Sequence, residues 1–387
     1  MSNYIYFDHA ASSFPKPEAV VEAVSTALME YSANPGRGGH QLAVRAADVI
    51  YQTRLKLAKM FHLKNPRNVL FYQNATVALN QAIKGMKLER GDHIITTTYE
   101  HNSVRRPLEF LQREKGITIT YLPPNEDGDI TATRLRGAVT EKTRAVVVSH
   151  GSNVTGAITP LEEISEVTKE HQLTFIVDAS QTAGVLPINM EELAIDMLAF
   201  PGHKGLLGPQ GTGALLIQDD VELLPLVHGG TGSHSEVIDQ PLERPQRYES
   251  GTLNTPGIAG LSAGIDEVNS IGLDEIFAHE LSLTYQCIDG LEQIASVRVF
   301  GPNRDQKRLA VIPFVIEGVD VHEVATILDQ HYQVAVRAGL HCSPIAHETV
   351  GTIDGGTLRV SFGHSNTSAE VETFIQSIKE ITEGLLG

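Results

Sequence analysis

Two short motifs hold the residues best suited to covalent chemistry. Asp178 closes the apolar run 174–177 and heads Asp178-Ala179-Ser180-Gln181. Lys204 follows the run 197–200 and stands among glycines in Gly202-His203-Lys204-Gly205. An acid at a buried strand end is costly unless paired. Taken alone, such an Asp more often caps the next helix. It can also hold the proton on a pyridine-type ring nitrogen, which keeps that ring an electron sink. A turn lysine is ordinarily a solvated surface group, whereas a desolvated amine can form a Schiff base with a carbonyl. Each motif alone has two readings. Together, 26 residues apart and so about one βαβ unit, they favour the chemical one.

A thiol and an arginine complete the set. The chain has two cysteines. Cys287 lies in a helical pattern and reads as a small buried hydrophobe. Cys342 sits in a loop punctuated by Gly and Pro, Val336-Arg337-Ala338-Gly339-Leu340-His341-Cys342-Ser343-Pro344, with an arginine five residues before it. Nearby positive charge favours the thiolate, which is the nucleophile. Arg359, in Thr357-Leu358-Arg359-Val360-Ser361-Phe362, offers a planar fork that matches a carboxylate, although a surface ion pair would use the same residue.

Positioning these groups requires a sheet. Apolar spacing predicts amphipathic helices over 16–31 and 43–60. Short, mostly β-branched runs follow at 68–72, 93–97, 117–122, 145–149, 174–177 and 197–200, separated by helical patterns. That alternation predicts an α/β fold with a mainly parallel sheet between helices. Ligands of such sheets bind beyond the carboxyl ends of the strands. The residues found there are Asn74-Ala75-Thr76, Glu100-His101-Asn102, Asn153, Asp178–Gln181 and Gly202–Lys204. Past residue 255 the texture changes to long helices and a few strands. The expected division is a large domain over 15–255 and a smaller α+β domain from 1–14 and 256–387, with the boundary near Gly251–Gly257.

Asp178-Ala179-Ser180-Gln181 with Gly202-His203-Lys204 resembles the class V aminotransferase family of fold-type-I pyridoxal-phosphate (PLP) enzymes. More narrowly it resembles the cysteine desulfurase and selenocysteine lyase group. The likeness runs from Tyr6-Phe7-Asp8-His9-Ala10-Ala11 to Leu358-Arg359-Val360-Ser361-Phe362. It implies that Lys204 carries the cofactor, Asp178 pairs with its ring nitrogen and Gln181 bonds its phenolic oxygen. His101 would stack on the ring and take part in proton transfer. Ala75, Thr76 and His203 would hold the phosphate, with Thr252 reaching across from a second subunit of a homodimer. Pro201 stands where many relatives have a phosphate-binding serine, and it offers neither a hydroxyl nor an N–H. The Arg-x-Gly-x-His-Cys loop implies that Cys342 takes sulfur from substrate as a persulfide. Arg359 would bind the substrate carboxylate, Asn153 would lie between ring and carboxylate, and Arg37 and His40 would belong to an entrance loop. The implied substrate is L-cysteine or L-selenocysteine, with alanine as product and a possible sulfur-acceptor protein as partner.

Bulk properties narrow the alternatives. Lys plus Arg number 30 against 47 Asp plus Glu, a formal charge of −17, which weighs against nucleic-acid or anionic-membrane binding. Two cysteines make neither a disulfide framework nor a zinc site, so no metal is expected. No leader and no apolar run of membrane-spanning length is visible, so a cytoplasmic protein is expected. No Gly-x-Gly-x-x-Gly marks the first strand-to-helix turn, against a dinucleotide binder. A transaminase of the same family needs no thiol, and a scaffold with a decayed site would not be expected to keep Lys204, Asp178, His101, Cys342 and Arg359 together.

Overall fold

The computed structural model describes residues 4–36, 39–232 and 236–386. The chain opens with β1 (Ile5–Tyr6), α1 (Glu18–Glu30) and α2 (Gln41–Met60). Then come β2 (Val69–Tyr72), α3 (Ala75–Gly85), β3 (His93–Thr97), α4 (Asn102–Lys115), β4 (Thr118–Leu122), α5 (Ala132–Ala138), β5 (Thr143–Ser149), α6 (Leu161–His171), β6 (Thr174–Asp178), β7 (Met197–Pro201) and β8 (Gly213–Ile217). The remainder holds α7 (Thr255–Ile271), α8 (Leu273–Glu292), β9 (Val297–Val299), β10 (Val311–Ile316), α9 (Val321–Ile327), β11 (Val334–Ala335), β12 (Arg337–Gly339), α10 (Pro344–Val350), β13 (Thr357–Ser361) and α11 (Ser368–Leu386).

Seven strands form one sheet in the order β2-β8-β7-β6-β5-β3-β4. β8 runs antiparallel to both of its neighbours, and the other pairs from β7 to β4 are parallel. Six strands therefore point one way, and their carboxyl ends share one edge. Alternate side chains bury on opposite faces. Phe175, Val177, Leu198 and Phe200 enter one core, and Ile176, Met197 and Ala199 enter the other. A strand buried on both faces has no polar side, which is why these segments read as continuous apolar runs.

A second, antiparallel sheet has the order β12-β13-β10-β9. Its core of Phe7, Phe314, Leu358, Val360 and Phe374 packs under α8 and α11. Residue 255 begins α7, whose Ile258, Leu261 and Ile265 join the core of the seven-stranded sheet while the helix packs on α1 and α2. The two sheets meet where the chain start lies between them. Asp8 bridges to Ser361 of β13, and Ala11 precedes Ser13, whose N–H donates to His203 O at 2.9 Å.

Candidate active site

The common edge of the parallel strands opens into a cavity of about 200 Å³. Its lining includes Ala75, Thr76, His101, Asn153, Asp178, Gln181, His203, Lys204, Cys342 and Arg359. Ten of the residues singled out above thus converge from separate segments. Thr252 and His40 do not line it. His40 caps α2 and is exposed, while Thr252 lines a different cavity beside Tyr51 and Arg54. Arg37 lies outside the described residues.

Asp178 ends β6 fully within the protein, and one of its oxygens accepts the Ser180 N–H at 2.9 Å and the Ser180 hydroxyl. Burial pushes its carboxyl upward, against the pull of those bonds and of Lys204. Burial pulls Lys204 down to about 8; Asp178 opposes that, and Arg359 and Arg337 reinforce it. The Lys204 loop and the Gln181 loop are packed backbone to backbone. A Cβ at Gly205 would stand 2.5 Å from Ala183 O, so only glycine lets the loops approach this closely. Gln181 Nε2 donates to Ala10 O at 3.1 Å.

Thr76 is the second residue of α3, whose cap Asn74 accepts the Val77 N–H. His101 caps α4, accepting the Ser103 N–H at Nδ1. Burial, with help from Lys204, Arg337, Arg359 and Arg106, lowers the imidazole to about 4, so it is neutral near pH 7. Below it Glu100 is completely buried, yet its carboxylate accepts Thr97 Oγ1 (2.6 Å), Ser149 N (3.0 Å) and Ser149 Oγ (2.7 Å). Burial still raises it to about 7. Ser149 ends β5 and is the cross-strand partner of Asp178 on β6, so Glu100 braces the strand next to the one that carries Asp178.

The thiol enters on a strained loop. His341 (φ 48°) and Cys342 (φ 62°) are consecutive left-handed residues without being glycine, a conformation that needs outside support. The support is present. Asn102 N–H donates to Cys342 O (2.9 Å), Asn153 Nδ2 donates to His341 O (2.8 Å), and Ser343 Oγ donates to Asn153 Oδ1 (2.8 Å). The outcome is an exposed Cys342 whose Sγ lies 3.7 Å from Arg337 Nη2.

Arg337 and Arg359 face each other across β12 and β13. Two adjacent cations repel unless anions sit between them. Asp8 takes one position, 2.6 Å from Arg359 Nη2, and Asn153 O accepts from Arg359 Nη1 at 3.0 Å. Arg359 Nε, His203 Nδ1 and His341 Nδ1 are buried and have no hydrogen-bond partner. All three belong to residues lining the cavity. Orphaned polar groups of this kind mark a place built for a polar guest. Among the described residues, no three metal-ligating side chains stand together in a way that could hold a metal ion.

Asp8 and Ser103 are residues of this region absent from the candidates. Arg337, read as the charge beside Cys342, and Glu100 stood inside motifs already marked. Asp8 and Ser103 had no signal that spacing could reveal.

The fold and this edge-bound cavity define a class, and the chain belongs to it: it matches the class-V aminotransferase family over residues 5–374. It is 34% identical to the probable cysteine desulfurase of Methanothermobacter thermautotrophicus, over 98% of this chain and 95% of that one. The probable cysteine desulfurase of Pyrococcus abyssi gives the same figures. Among solved structures, the apo cysteine desulfurase of Thermococcus onnurineus NA1 superposes with a TM-score of 0.91 at 35% identity, covering 99% of this chain and 95% of that one. The cysteine desulfurase CsdA of Escherichia coli gives 0.89 at 27% identity, covering 99% and 95%. The expected fold class is the one found.

Proposed function

We propose that this chain is a PLP-dependent cysteine desulfurase that converts L-cysteine to L-alanine and passes the sulfur on through Cys342. One observation carries the reading: Cys342 Sγ, with a guanidinium N–H on it, opens into the same cavity as Lys204, Asp178 and Arg359. Transamination has no use for such a thiol. The relatives' names point the same way.

The donor set suits PLP. A buried acid, Asp178, suits a ring nitrogen that must stay protonated, and such a proton would offset the cost of burying the carboxylate. Lys204, with its lowered affinity for protons, suits a covalent link to an aldehyde. Thr76, Ala75 at the start of α3 and the unpartnered His203 Nδ1 suit a phosphate. Bound there, PLP supplies an electron sink for bonds broken at the substrate α-carbon.

The chain's own residues do the rest. Arg359, its Nε free, binds the α-carboxylate, and Asn153 holds both Arg359 and the thiol loop in register. Lys204, its affinity for protons lowered by burial, would take the α-proton. Cys342 attacks the substrate sulfur. The S–S bond forms as the C–S bond breaks, so Cys342 gains one sulfur and the substrate leaves as alanine after protonation. A thiol acceptor then regenerates Cys342. An exposed free thiol with this duty belongs in a reducing compartment, in keeping with a cytoplasmic protein.

A homodimer fits the surface. α1 leaves Val21, Leu28 and Met29 exposed, and α2 leaves Leu42, Val44 and Tyr51 exposed. Both helices pack on α7, and exposed large apolar side chains of this kind are what an interface covers. Thr252 shares a cavity with Tyr51 on that face, so a second copy seated there can receive it.

The test is Cys342→Ala. The variant is expected to bind cofactor and lose sulfide release from cysteine. Sulfide release at the wild-type rate would refute the role of the thiol.

A further inference from the structure

Ser103 stands where two helix starts meet. It is the second residue of α4, as Thr76 is of α3. It is buried, and it lines the cavity. Its Oγ lies 2.7 Å from Thr76 Oγ1 and 2.9 Å from His101 Nδ1, and its own backbone N–H donates to that same Nδ1 at 3.1 Å. The backbone bond fixes the protons. A ring nitrogen that accepts an N–H carries a lone pair, so the His101 proton sits on Nε2. The Ser103 hydroxyl can then only donate to Nδ1, and its oxygen is left to accept from Thr76. The resting chain therefore runs Thr76 O–H to Ser103 Oγ, and Ser103 O–H to His101 Nδ1. Pro201, which lines the same cavity, offers neither a hydroxyl nor an N–H, so the hydroxyls at this end are the more valuable.

We propose that Ser103 is a positioning residue that couples an anion held at Thr76 to the imidazole of His101. An anion takes the Thr76 O–H for itself. The Ser103 hydroxyl then turns to the freed lone pair of Thr76, where it polarises and strengthens the Thr76 bond to the anion. His101 Nδ1 keeps the backbone N–H and loses the hydroxyl. Occupation of the anion cradle is thus reported to the imidazole by the rotation of one O–H. That an anion binds at Thr76 rests on the function proposed above; the chain of hydroxyls from Thr76 to His101 does not.

The experiment uses the cofactor-free protein with 15N-labelled histidines, and inorganic phosphate as the probe against chloride at equal ionic strength. The His101 signal is assigned by its loss in His101→Gln. In the wild type, Nδ1 is expected to be unprotonated and to shift on phosphate addition towards a more weakly bonded lone pair. In Ser103→Ala that shift is expected to vanish. Ser103→Thr, which keeps the hydroxyl, should restore it. Three results would overturn the proposal: a proton on Nδ1 in the wild type, an equal phosphate shift in Ser103→Ala, or no phosphate binding to the wild type. Adding PLP to the same wild-type sample and reading its absorbance tests the cofactor reading separately, so either idea can fail alone.

Discussion

At the scale of single residues the site is an exercise in desolvation. Lys204 has its affinity for protons cut from the ordinary 10.5 to about 8, first by burial and then by Arg359 and Arg337, with Asp178 pulling the other way. Only the neutral amine attacks an aldehyde. The rate at which cofactor-free protein captures PLP should therefore rise with pH through a midpoint near 8. Asp178→Asn removes a group that favours the charged amine, so its midpoint should fall below that of the wild type. Stopped-flow absorbance over a pH series checks both. A midpoint near 10.5, that of a solvated lysine, would contradict the placement of Lys204 in a dry site. At this scale the sequence was partly legible. Asp178, Lys204, His101 and Cys342 stand in motifs whose neighbours announce them. Asp8 does not: it meets Arg359 across 351 positions, and only the bridge from the chain start to β13 brings them together. Ser103 likewise matters only because two helices start at one point.

At the scale of elements, strand runs at 174–177 and 197–200 were visible because strands buried on both faces are continuously apolar; the structure extends each by one residue, to Asp178 and Pro201. β8 escaped notice. Gly213–Ile217 is a short run directly behind a glycine-rich loop, and no local signal says that it inserts antiparallel between β2 and β7. The long helices expected past residue 255 are present, α8 and α11 among them. Their periodicity could not show that α8 buries an acid. Glu280 is buried with Lys204, His9 and His364 around one cavity, and burial raises it from 4.5 to about 8. Below pH 4.5 the carboxyl is protonated in folded and unfolded chains alike, and nothing is lost. Between 4.5 and 8 the unfolded chain releases the proton while the folded one keeps it, so stability falls as pH rises. The loss is about 1.4 kcal/mol per pH unit, and so on the order of 3 kcal/mol by about pH 7. Glu280→Gln removes this dependence. Its stability relative to wild type should climb from pH 4.5 to pH 8, and chemical denaturation at several pH values would measure it. A difference that does not change with pH would mean that Glu280 ionises normally in the fold.

At the scale of the whole molecule the open question is whether one chain makes a complete site. Thr252 follows Glu249, whose carboxylate is gripped by the Arg54 fork at 2.8 and 2.5 Å and accepts the Phe71 N–H at 2.6 Å. This buried pair ties the segment to α2 and β2, beside the exposed apolar face and away from the cavity that holds Lys204. Within one chain, then, Thr252 stands away from the cavity that holds Lys204. A second copy makes sense of that placement, since a donor on one chain can serve its neighbour. Complementation decides the matter. Thr252→Ala alone should weaken cofactor binding by about 10- to 100-fold, the range for losing a hydrogen bond to a charged group. Lys204→Ala alone should abolish the covalent link. In a mixed dimer of the two variants, a shared site would pair the intact Lys204 of one chain with the intact Thr252 of the other. Half of the sites in that dimer should then bind PLP covalently with wild-type affinity. If Thr252 served its own chain, the only lysine-bearing site would also carry the Thr252→Ala substitution, and the mixture would bind no more tightly than that single variant. Differently tagged chains, unfolded together, refolded and purified through both tags, would give the mixed dimer. Equilibrium titration with PLP, followed by reduction to count the covalent sites, would read the answer.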